Sequence, residues 1–311
     1  MKINSYLKPK PPKELQFYQF LHSRKTLSTS ETLRFDHLHK GYLGEQKLYH
    51  LLKSNPSDNR IAMFDLLLEH NDQEFQIDCL IITKSTIFLL EVKNFSGDYY
   101  FEDGKFYSVR SRKEIRNPLL QLQRTEFLLK QLLQNLNVHL TVKPYIIFSN
   151  EECTLYQVPL TLPIIFPTQL KRFIPSLHVN EGNLTDYHTK LANSFASMHK
   201  KQSIHLTLPE VNREQLKCGI TCQKCVNFLK VFNHYLFKCS NCGSKEKIEP
   251  AVMRSVFEFH TLFPQGKITT CVIYEWIGAI IPRPRVRRIL LKNMVTVGER
   301  KHRHYIFKEG V

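Results

Sequence analysis

A chain of 311 residues is long enough for about two domains, and its 42% hydrophobic content supplies a core. A formal charge of +16 and a pI near 9.5 point to a polyanionic partner, with nucleic acid ahead of an acidic membrane surface. No apolar run reaches the roughly 18–20 residues that span a bilayer, and "MKINSYLKPKPPKELQFYQFL" lacks an apolar core followed by a small-residue cleavage site; the expectation is a cytoplasmic protein that does not contact membrane.

Residues 1–35 read as a basic leader with one short helix in "PKELQFYQFLHSR". "KGYLGEQKLYHLLKS" is a predicted helix in which Glu45 shares a stripe with Leu48 and Leu52, so its carboxylate turns toward the core. "IAMFDLLLEH" is a predicted strand and "NDQE" a turn. "FQIDCLIITKSTIFLLEVKNFSG" then reads as two apolar strands around a polar break, yet it carries Asp78, Glu91 and Lys93 inside those strands. Unpaired buried charges cost several kcal/mol, so the three need a reason. A two-residue loop at Lys84-Ser85 sets Asp78 opposite Glu91, with Cβ atoms roughly 5 Å apart, and Lys93 two residues on along the same face. Two carboxylates that close repel unless a cation lies between them.

"GDYYFEDGKFYSVR" predicts a hairpin turning at Asp103-Gly104. "NPLLQLQRTEFLLKQLLQNLN" is a helix capped by Asn117, with Pro118 in its first turn and Gln121 in line with Leu128 and Leu132 on the inward face. "KPYIIFSN" and "YQVPLTLPIIFPT" are further strands and "TDYHTKLANSFASMHKK" a closing helix. Strands interleaved with helices make residues 36–205 a mixed α/β domain.

The chemistry changes after about residue 205. Of eight cysteines, Cys222, Cys225, Cys239 and Cys242 form two Cys-x2-Cys knuckles, the spacing of a four-cysteine zinc ribbon over 215–250. Four thiolates close the coordination shell, so the zinc is structural, and Cys218 and His234 are spare. Residues 251–311 read as a small winged-helix-like basic domain: a helix stopped by Gly278, a second helix with Arg283, Arg285, Arg287, Arg288 and Lys292, and a hairpin with Arg300, Lys301 and Arg303 near its tip. A basic helix followed by a basic wing is a footprint for DNA.

The ordered set "GYLGE", "FQIDCLII", "IFLLEVKNFSG" and "NPLLQLQR" resembles the nuclease-related domain (NERD) family of the PD-(D/E)xK restriction-endonuclease-like superfamily. The resemblance spans roughly residues 35–150 and implies a restriction-endonuclease-like mixed sheet flanked by helices. It also implies catalytic roles for Glu45, Asp78, Glu91, Lys93 and Gln121. Asp78 and Glu91 would hold Mg²⁺ or Mn²⁺, Glu45 would complete the site, and Lys93 would act on the attacking water. The function this suggests is metal-dependent phosphodiester hydrolysis of nucleic acid, DNA first. Two other readings stand beside it: a non-catalytic DNA-binding protein on a nuclease-like scaffold, and a zinc-ribbon adaptor that binds a protein partner.

Overall fold

The computed structural model describes residues 8–177, 182–200, 203–204, 206–299 and 302–308. It is a mixed α/β protein of two compact units. One comprises the residues up to Pro11 together with His37–Leu206, the other Pro12–Asp36 together with Thr207–Val311.

Helix α1 (Lys13–Arg24) belongs to the second unit, and α2 (Thr29–Ser54) begins in the second unit and ends in the first. The sequence reading starts this helix at about Lys40. The structure starts it eleven residues earlier, because Ser28 and Glu31 form a capping box: the Ser28 N–H donates to Glu31 Oε2 (2.8 Å) and the Glu31 N–H to Ser28 Oγ (3.3 Å). The 35/36 boundary therefore falls inside a helix, and the basic leader ends in an ordered element.

The first unit is built on a five-stranded sheet of order β1-β2-β3-β7-β9, made from β1 (Ile61–His70), β2 (Gln73–Ile82), β3 (Thr86–Lys93), β7 (Thr141–Phe148) and β9 (Ile164–Ile165). The first three strands are antiparallel; β7 joins β3, and β9 joins β7, in parallel. The turn before β2 is Asn71-Asp72 alone, both residues at positive φ as a two-residue hairpin loop requires, while Gln73 and Glu74 are already strand. Central β3 is buried from Thr86 to Val92, which is why its sequence is a near-continuous apolar run.

A second sheet, β6-β5-β4-β8, is assembled from β4 (Gly97–Glu102), β5 (Lys105–Ser108), β6 (Glu114–Ile115) and β8 (Cys153–Tyr156), and β4 and β5 turn at Asp103-Gly104. Helix α3 (Pro118–Asn135) starts at Asn117, whose side chain accepts from the Leu119 N–H. Helices α3 and α5 (Asp186–Met198) cover one face of the main sheet through Leu122, Leu129, Leu133, Leu191 and Phe195. The other face is covered by α2 and α4 (Leu170–Ser176) through Leu48, Leu52, Leu170 and Ile174. A single strand over "YQVPLTLPIIFPT" does not form: Tyr156 ends β8, Pro159 and Pro163 interrupt the pairing, and only Ile164–Ile165 join the main sheet.

In the second unit, β10 (Leu229–Val231), β11 (Leu236–Cys239) and β12 (Lys245–Lys247) form an antiparallel ribbon. It leads into α6 (Ile248–Leu262), α7 (Thr270–Trp276), α8 (Arg283–Asn293) and the hairpin β13 (Val295–Val297) with β14 (His304–Ile306). An isolated bridge from Ile268 to Tyr305 adds a third short strand, completing a three-helix unit with a β-wing. Gly278, at φ 74°, ends α7 where the sequence marks its stop.

Candidate active site

The β2–β3 hairpin has the two-residue Lys84-Ser85 loop, closed by the Thr83 N–H donating to the Thr86 carbonyl (2.9 Å). Its register runs from Ile82↔Ile87 to Cys79↔Leu90, where the ladder stops; continued by one step, the same register sets Asp78 opposite Glu91. The Asp78 carboxylate takes over, accepting the Val92 N–H on Oδ2 at 2.8 Å, which ties it to the Glu91–Val92 backbone. Strand β3 continues against β7 through Lys93↔Phe148, so Glu91 and Lys93 stay inside the sheet. Lys93 Nζ donates to Glu91 Oε1 (2.6 Å) and to Gln121 Oε1 (3.0 Å), which brings the first turn of α3 into the same site.

Glu45 arrives from α2 through a close approach. A Cβ on Gly44 would lie 2.9 Å from Asn94 Cβ, 3.0 Å from Ser149 Oγ and 3.4 Å from Val92 Cγ1, so only glycine lets this helix turn pack so near the end of β3. One residue on, Glu45 is buried and its Oε2 has no hydrogen-bond partner; Asn94 Oδ1 nearby has none either.

Burial raises the Glu45 carboxyl well above the ordinary carboxylate range, and the negative charges of Asp78, Asp65 and Glu91 add to it. Burial and the Glu91 charge likewise raise Asp78, against the opposing effects of Lys93 and the Val92 N–H. Carboxyl groups thus crowd the site, and Lys93 offsets only Glu91, which it bonds, and Asp78. A hard divalent cation prefers oxygen donors of this kind and would relieve both the repulsion and the unpartnered Glu45 oxygen, so the donor chemistry suits a divalent metal ion. The carboxylate oxygens are more widely spread than the ribbon thiols: among the described residues only the four cysteines bring three or more ligand atoms within 4.8 Å of one another.

Asp65 is the member that sequence reasoning missed. It lies in β1 between the rungs Phe64↔Cys79 and Leu66↔Ile77, which sets it opposite Asp78, and it adopts φ 53° there. Gln76 Nε2 donates to its Oδ1 (2.7 Å), and burial raises its carboxyl pKa. The signal was present in "MFDLLL", an aspartate inside an apolar strand, the same anomaly that marks Asp78. Beside Gln121 opens a cleft of about 480 Å³ lined in part by Gln76, Arg116, Asn117 and Arg124, with both arginines exposed.

The four ribbon cysteines converge, with Cys222 and Cys242 sulfurs 3.6 Å apart and Cys225 and Cys239 sulfurs 3.3 Å apart. A tetrahedral ion with bonds of about 2.3 Å separates its sulfurs by about 3.8 Å, so the cluster is compatible with zinc. The Lys224 N–H points at Cys222 Sγ (3.4 Å), a donor that favours thiolate. Exposed Cys218 and His234 stand outside the cluster.

On α8, Arg283, Arg287 and Arg288 are exposed and, with Thr270, Pro284 and Leu291, line a depression of about 620 Å³. Arg285 is half-buried and donates to the His234 carbonyl (2.5 Å), and Lys292 pairs with Glu249 (2.9 Å). Arg303 is exposed beside the wing, and Arg300 and Lys301 lie outside the described residues. Among the described residues no helix is long and apolar enough to cross a membrane.

Residues 40–149, about a third of the chain, match the family model of NERD, the Nuclease-related domain. The matched segment contains Glu45, Asp65, Asp78, Glu91, Lys93 and Gln121. No curated protein and no solved structure matches the chain.

Proposed function

We propose that the protein is a metal-dependent nuclease that hydrolyses phosphodiester bonds in DNA. The observation that carries the reading is the set of buried Glu45 and Glu91 with half-buried Asp78 around the end of the β2–β3 hairpin, joined to Lys93 and Gln121 inside a nuclease-related segment. Asp78 and Glu91 would hold the cation, with Glu45, and Asp65 behind it, supplying further oxygen. A bound Mg²⁺ or Mn²⁺ supplies Lewis acidity, lowering the pKa of a water and offsetting charge on the phosphate.

The remaining roles belong to the chain itself. Gln121 and Glu91 fix the Lys93 ammonium between them. From there it orients the attacking water and offsets negative charge as the water oxygen bonds to phosphorus and the ester oxygen departs. Arg116 and Arg124, exposed in the adjoining cleft, would take neighbouring phosphates, and Arg283, Arg287 and Arg288 on α8 would supply duplex affinity from the second unit.

The test is incubation of the purified protein with linear and circular DNA and with RNA, each with and without Mg²⁺ or Mn²⁺. Cleavage that needs the cation, falls by at least about a hundredfold in Lys93→Ala and is lost in Asp78→Ala, with DNA affinity retained in both, is the expected outcome. A Lys93→Ala protein that cuts like the parent would sink the assignment.

A further inference from the structure

The three strands of the ribbon pair Lys230 with Lys238 and Lys238 with Lys245. Directly paired residues share a face, so three lysines form one row across the sheet, and all three are exposed. Like charges directly opposite one another destabilise a sheet, and the acid nearest in sequence does not relieve them: Glu246, between Lys245 and Lys247, is bound to Arg254 (2.7 Å) and Gln223 (3.3 Å). Two ammonium groups of the row lean over the ring of Phe232 instead, Lys245 at 4.4 Å and Lys238 at 5.5 Å from its centroid. Phe232 nevertheless remains 48% exposed, and Tyr235, three residues on, is 77% exposed.

The turn carrying both rings is held in place. Asn233 Oδ1 accepts the N–H groups of Tyr235 and Leu236 (both 2.9 Å), and the Phe232 N–H donates to the Leu236 carbonyl (2.9 Å). The Tyr235 carbonyl accepts from Ile248 and the His234 carbonyl from Arg285. Two exposed aromatic rings are thus presented on a pinned loop beside a row of unneutralised lysines. Rings of this kind stack on bases only where bases are unpaired, while lysines track the phosphates between them.

We propose that the zinc ribbon is a binding site for single-stranded nucleic acid, with Phe232 and Tyr235 as base-stacking platforms and Lys230, Lys238 and Lys245 as phosphate contacts. The site uses residues other than the hairpin carboxylates and the exposed arginines of α8. Its ligand is recognised by charge complementarity along the backbone and by the π-faces of unpaired bases, so it is tolerant of sequence.

The experiment is fluorescence anisotropy on the full zinc-loaded chain carrying Lys93→Ala, with a labelled oligothymidylate and a labelled duplex of equal length. Because binding is measured without cleavage, its outcome is independent of the nuclease reading. Combined Phe232→Ala and Tyr235→Ala should weaken oligothymidylate binding about tenfold or more and change duplex binding by less than about twofold. Lys230→Gln, Lys238→Gln and Lys245→Gln together should flatten the salt dependence on the single strand by about 0.7 log-log units per lost contact, near 2 in all. Phe232→Trp with Tyr235→Trp should retain affinity, and elemental analysis should show one zinc per chain in every variant. Unchanged single-strand affinity in the alanine pair overturns the proposal. So does an equal loss on duplex, or a lysine row that captures phosphatidylserine vesicles but not the oligonucleotide.

Discussion

Glu45 concentrates the electrostatics of the candidate site in one side chain. It is buried, one of its oxygens has no partner, and three other carboxyl groups act on it. A carboxyl whose folded pKa lies above its unfolded value binds more protons in the folded state. Its stabilising contribution is therefore complete below the unfolded pKa and is lost as pH rises through the folded one. The raised values, about 7 for Asp78 and about 9 for Glu45, set the window. Without divalent cation, stability should fall from about pH 5 to pH 9, and Glu45→Gln should remove roughly 1–3 kcal/mol of that fall. At pH 8, Mg²⁺ or Mn²⁺ at a hundredfold over its Kd should restore about 2.7 kcal/mol to the parent and less to the variant. Thermal unfolding across pH, with and without cation, measures both. A Glu45→Gln protein with the parent's pH slope would contradict this account of the site. Asp78, Glu91 and Lys93 were legible in the sequence because charge inside an apolar strand is costly. Asp65 carried the same mark but had no partner within a few residues, and only the β1–β2 pairing shows what it faces.

Among the elements, the register of the β2–β3 hairpin was readable, though not the start of β2, because a two-residue loop leaves one register and the alternation of a buried sheet forbids a slip. Helix α2 was not. Its N-terminal half shows weak amphipathic patterning, Gly41 and Gly44 resemble a start, and the true signal, Ser28 with Glu31, lies thirteen residues before Gly41. Helix α6 went unnoticed although it carries Glu258 between Phe257 and Phe259, because that carboxylate's partner, Arg24, lies 234 positions away and no local pattern reveals it; the helix buries Ala251, Val252, Val256 and Phe259. Helix α8 was legible as basic, but only the structure sorts its cations. Arg285 and Lys292 hold the protein's own groups, while Arg283, Arg287 and Arg288 face solvent. Replacing these last three with alanine should flatten the salt dependence of duplex DNA binding by about 0.9 log-log units per lost phosphate contact. Anisotropy titrations over a range of salt provide the measurement; an unchanged slope removes α8 from the DNA interface.

At the scale of the whole molecule, the second unit is held to its own N-terminal segment by a buried ion pair. Arg24 Nε and Nη2 meet the two oxygens of Glu258, each at 2.8 Å; Nη1 and Nη2 donate to the carbonyls of Lys217 and Gly219, and the guanidinium lies 3.6 Å from the ring centre of Trp276. Arg24→Ala strands a buried carboxylate and should cost about 3–5 kcal/mol, whereas Arg24→Met with Glu258→Met should recover much of that loss. Trp276 is the chain's single tryptophan, so its fluorescence during denaturant unfolding reports on this unit directly. A parent-like midpoint in Arg24→Ala would show that the pair contributes little. The same connectivity governs how the protein is made. Arg24 and Glu258 are 234 positions apart, with His37–Leu206 of the first unit between them. At roughly 5–20 residues per second, a ribosome delivers α6 about 10–50 s after α1. Through that interval the nascent chain displays Leu15, Phe17 and Leu21 without their eventual neighbours, while the first unit is already complete and free to fold. An apolar segment held open this long invites holdase binding, so the yield of folded protein should rise with holdase supply.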